Sequence, residues 1–195
     1  IAWPGAAAAS VDSLTTTVDI HATLRDVFGA ASPHPTHGAS LVPVLTGAST
    51  ETREWSIGGV FGNWVQVTDG HRKYARSAVG ENFPLSMWSN RWSTMPTHFR
   101  GIGLPKPDRR AYLDFMPGSD VPVIRQPFQP GDMLPFWVAG PVDRHHLFDL
   151  DLDPHESEER AGKADPLEAE MLDLLFTALR AVDAPDEQFA RLGVG

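Results

Sequence analysis

Asp149, Asp151 and Asp153 alternate near the end of the chain, with His145, His146 and His155 around them. Carboxylates and imidazoles gathered in this way are metal-ligand chemistry. Alternation would set the three carboxylates on one side of a strand, but strand spacing also separates successive ones by ~7 Å. A calcium loop needs a tight turn, normally with glycine, and a bidentate acid downstream. The run Asp149-Leu150-Asp151-Leu152-Asp153 contains no glycine, and it reads as a solvated strand edge followed by an acidic turn.

A second constellation is Thr94-Met95-Pro96-Thr97-His98, inside a stretch dense in Trp, Arg, Pro and Gly. Binding residues concentrate in irregular segments of this kind. The His98 imidazole could donate to a substrate oxygen or to a leaving-group oxygen, with Thr97 beside it. The competing reading is a histidine making one structural hydrogen bond. Trp88, Trp92, Phe136 and Trp137 could line an aromatic pocket or fill a core, the core being preferred for Phe136 and Trp137. Arg91, Arg100, Arg109 and Arg110 could attract an anion, although single exposed arginines are more often simply solvated.

The elements that must position these residues belong to an ordinary globular chain. Its 195 residues suffice for one domain, or one and a half, with a real core, and 42% hydrophobic with 21% charged content argues against global disorder. A net charge of -9 disfavours nucleic-acid partners, which select a basic face. No apolar run approaches the ~20 residues of a membrane helix, so no membrane partner is expected. The absence of cysteine removes disulfides and thiolate chemistry without naming a compartment. Ile1-Ala2-Trp3-Pro4-Gly5 has no signal-peptide character and no initiating methionine. It reads as the end of a buried strand, with the natural N-terminus expected elsewhere.

Val11 to Val18 suits an extended segment. Ile20, Leu24, Val27 and Phe28 recur at the spacing of one helical face, with Asp19 to cap the start and Gly29 to end it. Leu41 to Leu45 predicts a helical turn. Trp64 to Thr68 and Arg72 to Arg76 flank the Asp69-Gly70 turn signal and predict a hairpin with Val65 opposite Tyr74. Residues 80–135 read as a long irregular loop. Phe136 to Val138 and His146 to Leu150 read as short strands. Asp165-Pro166-Leu167-Glu168 carries N-cap, N1 proline and capping-box signals for a helix over 166–182, and a shorter helix is expected from Asp186 to Leu192. The fold class these elements predict is α+β, a small antiparallel sheet packed with helices.

Two motifs carry a family resemblance. Val18-Asp19-Ile20-His21-Ala22-Thr23-Leu24-Arg25-Asp26-Val27-Phe28-Gly29 leads into His37-Gly38-Ala39-Ser40-Leu41-Val42-Pro43-Val44-Leu45-Thr46-Gly47, and His146-Leu147-Phe148-Asp149-Leu150-Asp151-Leu152-Asp153-Pro154-His155-Glu156 comes late. In order and spacing they resemble the C-terminal portion of a sulfatase, of the arylsulfatase type in the alkaline phosphatase superfamily. The hairpin with Lys73-Tyr74 is similar to the family's, and Glu81-Asn82, Leu85-Ser86 and Met95-Pro96-Thr97-His98 are similar to a bacterial-type branch. Ala22-Thr23 stands where the family usually has Pro-Thr, and Glu159-Arg160 where it has Asn-Leu.

The resemblance implies the C-terminal part of a sulfatase-type α/β fold, with 1–50 the tail of the α/β core and 51–195 the C-terminal subdomain. It implies a sulfuric ester hydrolase whose formylglycine, made from Cys or Ser in Cys/Ser-x-Pro-x-Arg, attacks sulfur while calcium neutralises the sulfate oxygens. None of those motifs can be placed here. Thr94-Met95-Pro96-Thr97-His98 copies the spacing but has Thr94 in place of Cys or Ser and His98 in place of Arg. The chain alone is therefore expected to bind no cofactor and to be inactive, with calcium in an N-terminal part that is its expected partner. Its contribution would be fold and a pocket wall for a small sulfate ester, with His98 and Thr97 as substrate-binding candidates. Alternatives are a phosphoester or phosphonate hydrolase of the same superfamily, or a non-catalytic interaction module.

Overall fold

The computed structural model describes residues 1–89, 110–132 and 144–193. Its elements run α1 (Val18–Val27), α2 (Val42–Leu45), β1 (Ser56–Gly59), β2 (Val65–Thr68), β3 (Arg72–Arg76), β4 (Leu85–Ser89), β5 (Tyr112–Phe115), β6 (Pro122–Phe128), β7 (His146–Asp149), α3 (Pro166–Ala181) and α4 (Asp186–Arg191). The class is α+β. Two antiparallel sheets form, one of four strands in the order β1-β2-β3-β7 and one of three in the order β4-β6-β5. Residues 80–135, expected to be irregular, hold the whole second sheet. The Phe136 to Val138 strand lies outside the described residues.

The main core lies between the four-stranded sheet and α3. Val67, Tyr74 and Leu147 from the sheet meet Met171, Leu175, Ala178 and Leu179 on the helix, with Leu192 closing one end. Asp165 caps α3 as its sequence demands: the carboxylate accepts the Leu167 N–H at 3.0 Å, and Pro166 needs no donor partner. Glu168 does not complete the box on Asp165; it accepts the Gly162 N–H at 2.8 Å instead.

The β2–β3 hairpin turns one residue later than its signal, at Gly70-His71. The Asp69 N–H donates to the Arg72 carbonyl at 3.4 Å, and Asp69 Oδ1 accepts the N–H groups of both His71 (3.0 Å) and Arg72 (2.7 Å). Thr68 therefore pairs with Lys73, and Tyr74 lies opposite Val67, two residues from its expected partner. A two-residue shift preserves which face each side chain takes, so Tyr74 still enters the core.

α1 turns its apolar face outward. Ile20, Leu24 and Phe28, expected on one helical face, are 53%, 52% and 78% exposed, whereas Asp19, expected as the cap, lies inside the helix after Thr17 and is fully buried, and Thr23 is nearly so. The helix packs through polar groups because these complete a clasp between the two halves of the first motif. Asp19 accepts the N–H of Thr16 at 2.7 Å and of Ala39 at 2.8 Å, and pairs with Arg53. Thr23 accepts the Leu41 N–H at 2.9 Å. Gly38 passes directly against the Val18 carbonyl, where a Cβ would overlap it. Ile1, expected in a buried strand, is 89% exposed and belongs to no strand.

Candidate functional site

The second sheet forms around β6, whose β-branched Val123-Ile124 suit a strand and whose prolines sit at or near its ends. In register, Trp88 of β4, Arg125 of β6 and Tyr112 of β5 occupy one row across the sheet. Cross-strand neighbours in one row share a face, so the Arg125 guanidinium lies between two aromatic rings, 4.7 Å from Trp88 and 5.9 Å from Tyr112. Arg125 also donates to Ser86 Oγ at 3.1 Å, Asp114 at 3.1 Å and Glu187 of α4 at 2.7 Å. Glu187 in turn accepts from Ser86 Oγ at 2.7 Å and from the Trp88 indole at 3.3 Å.

Burial by itself would weaken the Arg125 proton, but Glu187 and Asp114 outweigh it and hold the guanidinium charged beyond ordinary arginine. Asp114 is held below the usual carboxylate range, first by the Phe115 N–H and then by Arg125. Both partners are thereby fixed in their ionised forms.

Beside this network opens a cleft of about 680 Å³ with Trp88, Phe115 and Phe189 among its walls and Arg180, Asp183 and Asp186 at its rim. Its charged lining is Asp114, Asp183, Asp186 and Glu187 against Arg125 and Arg180, an acid excess of two. Such a cleft suits an aromatic or otherwise flat organic body better than an anionic head.

Thr97 and His98 lie outside the described residues, as do Thr94, Arg91, Trp92, Arg100, Arg109, Phe136 and Trp137. In sequence Thr97 and His98 fall between Ser89, the end of β4, and Arg110, two residues before β5. There Arg110, instead of waiting for an anion, makes a two-pronged ion pair with Asp132 at 2.8 and 3.2 Å. Trp88 is a cleft wall.

The acidic motif is structural. Asp149 pairs with Arg160 at 3.0 Å, and Arg160 continues to Asp165 at 2.6 Å, tying β7 to the cap of α3. Asp151 pairs with His71, and Asp153 accepts from Ser157 Oγ at 2.8 Å and the Glu158 N–H at 2.7 Å. Glu159 accepts the Leu147 N–H at 2.8 Å and the Ala161 N–H at 3.0 Å, and meets His146 Nδ1. Among the described residues no three His, Cys, Asp or Glu side chains converge on a point where a cation could sit. The described acids therefore do not fit a calcium centre.

Arg125, Asp114 and Glu187 belong to no motif. The one sequence signal for Arg125 was the β-branched pair before it; nothing local announces that Glu187, on another helix, will reach it.

No protein-family model matches the chain, and no curated protein does. Among solved structures, it is similar to a chain from work on the metabolism of multiple glycosaminoglycans by Bacteroides thetaiotaomicron, labelled BT33336S-sulf. The identity is 16% and the TM-score 0.42, over 82% of this chain and 24% of that one, a weak likeness to a sulfatase. The chain thus spans about a quarter of that protein's length.

Proposed function

We propose that these residues form the C-terminal part of a sulfatase-family hydrolase, supplying fold and a substrate-pocket wall to an N-terminal part that carries the nucleophile and the calcium. The family assignment rests on the order and spacing of the sequence motifs. The observation that carries the partnership is the outward apolar stripe of α1, with Ile20, Leu24, Val27 and Phe28 between 46% and 78% exposed. Monomeric surfaces seldom present so many large apolar side chains along one helix; a contiguous stripe of them marks a contact surface. Behind α1, Asp19, Thr23 and Gly38 hold the helix from the polar side and leave the apolar side for another surface.

In this reading the cleft beside Trp88 receives the organic body of a sulfate ester, and its acid excess keeps the anionic head away from that wall. His98, on the segment that joins β4 to β5, donates to the ester or leaving-group oxygen, and Thr97 assists in holding it.

The test is hydrolysis of an aryl sulfate by this chain alone and after reconstitution with its N-terminal part in calcium. The expected result is turnover in the reconstituted sample only, lowered by His98→Ala. Turnover by the chain alone would overturn the division of labour. Hydrolysis of an aryl phosphate in preference to the sulfate would move the assignment to a phosphoester hydrolase.

A further inference from the structure

We propose that His145 is an acid-sensitive latch: its neutral imidazole holds the entry of β7 against the end of β3, and protonation releases that corner of the fold. The β3–β7 ladder ends at Ala75 opposite His146. Beyond it, two bonds made through side chains extend the pairing. The Ser77 N–H donates to His145 Nδ1 at 3.2 Å, and the Ser77 hydroxyl donates to the Arg144 carbonyl. Ser77 is 1% exposed, so its N–H has no ready access to solvent if this bond fails.

The direction of the Ser77 bond determines the state of the ring. A backbone N–H and a guanidinium N–H can only donate, and such donors face both ring nitrogens, Ser77 at Nδ1 and Arg76 at Nε2; a neutral ring can accept one of them, the shorter Ser77 bond, and a doubly protonated ring can accept neither. A second proton at Nδ1 would set two donors against each other. It would also place a full positive charge beside Arg76, whose Nη1 lies 3.4 Å from Nε2. Arg76 is not free to withdraw, because it donates to the Leu192 carbonyl at 2.7 Å and to the Tyr74 hydroxyl at 3.1 Å. Tyr74 meets the imidazole edge-on at 6.2 Å.

The charged groups that face the ring are Arg76 of β3, Glu168 of α3 and His146 of β7; burial, Arg76 and His146 oppose protonation, and Glu168 alone favours it. Opposition outweighs attraction, and the histidine is held below its ordinary 6.5. The sign follows: with the folded-state value depressed, no penalty exists above about pH 6.5, where both states are neutral. As pH falls below that, the unfolded chain takes up a proton that the latch refuses, and stability declines until the latch itself protonates. The corner so loosened also carries the end of α4, through Leu192 on Arg76 and the Arg191 carbonyl on the Val79 N–H at 2.9 Å.

The experiment is amide hydrogen exchange by NMR on the full chain, corrected for the intrinsic pH dependence of exchange, between about pH 7.5 and about pH 5. The expected result is a fall of about tenfold in protection at Ser77, the worth of one lost hydrogen bond, while the Val67 amide at the sheet centre changes less. His145→Asn places an amide oxygen where Nδ1 was, keeps the acceptor and cannot titrate. In this variant Ser77 protection should be independent of pH over the same range. Equal acid sensitivity in the variant, or none in the natural chain, would overturn the proposal. If the variant does not fold, the imidazole resonance of His145 decides: titration at or above the ordinary histidine value excludes the latch.

Discussion

Arg125 lies over the ring of Trp88 at 4.7 Å, on the neighbouring strand of the same sheet, and holds Glu187 of α4 from that position at 2.7 Å. Together with Ser86 and Trp88, which also donate to Glu187, it fastens α4 to the sheet. Arg125→Ala leaves Glu187, whose side chain is 9% exposed, without its charge partner. The expected cost is about 2 kcal/mol, less than for a fully buried pair because Arg125 itself retains solvent contact. Urea unfolding followed by tryptophan emission checks it; a loss below about 0.5 kcal/mol would mean that the network contributes shape and little energy.

Asp19 stands at the centre of the α1 clasp, fully buried and accepting from Thr16, Ala39 and Arg53. Asp19→Ala strands two backbone N–H groups and a guanidinium at once. The change should destabilise by roughly 3 kcal/mol or more, which thermal unfolding of the variant would register.

Gly38 tests the same clasp by volume alone. A methyl group there overlaps the Val18 carbonyl and crowds the Ala22 Cβ at 3.2 Å, and both belong to a helix that cannot retreat without breaking its hydrogen bonds to 39–41. Gly38→Ala is expected to cost about 1–3 kcal/mol, measured by chemical denaturation.

The outward face of α1 should behave oppositely. Leu24→Glu alters a side chain that is 52% exposed and should shift stability by no more than about 0.5 kcal/mol. Association with the N-terminal part, followed by sedimentation or co-purification, should be lost. A variant that unfolds would mean that the stripe packs within this chain.

A separate acid transition comes from the carboxylates. Burial alone would raise Glu159, but the N–H groups of Leu147 and Ala161, with His146, carry it below its ordinary 4.5. Asp165 is lowered chiefly by the Leu167 N–H and Asp153 by the Glu158 N–H, both from 3.8. Depressed carboxylates contribute stability that is complete above their unfolded values and is lost as pH falls through the folded ones. A denaturation series should therefore show a decline below about pH 4.5, distinct from the His145 decline that starts near 6.5. Glu159→Gln should remove part of the lower decline and leave the upper one in place.

What the sequence determined by itself is local. Asp165-Pro166 starts α3 and the Met171 to Val182 stripe buries it, because capping and helical period are properties of a few neighbouring residues. The Asp69-Gly70 signal marked a hairpin, but its register depended on how many N–H groups one carboxylate would collect. Periodicity grouped Ile20, Leu24, Val27 and Phe28 on one face of α1 without saying which way that face turns. Only the tertiary structure decided it, because a buried Asp19 with two partners from distant parts of the chain, Ala39 and Arg53, fixes the polar side of the helix inward. The second sheet was hidden for a related reason. Its strands are short, β6 carries two prolines, and β4 pairs with β6 across some thirty intervening residues, so the row of Trp88, Arg125 and Tyr112 forms only on pairing.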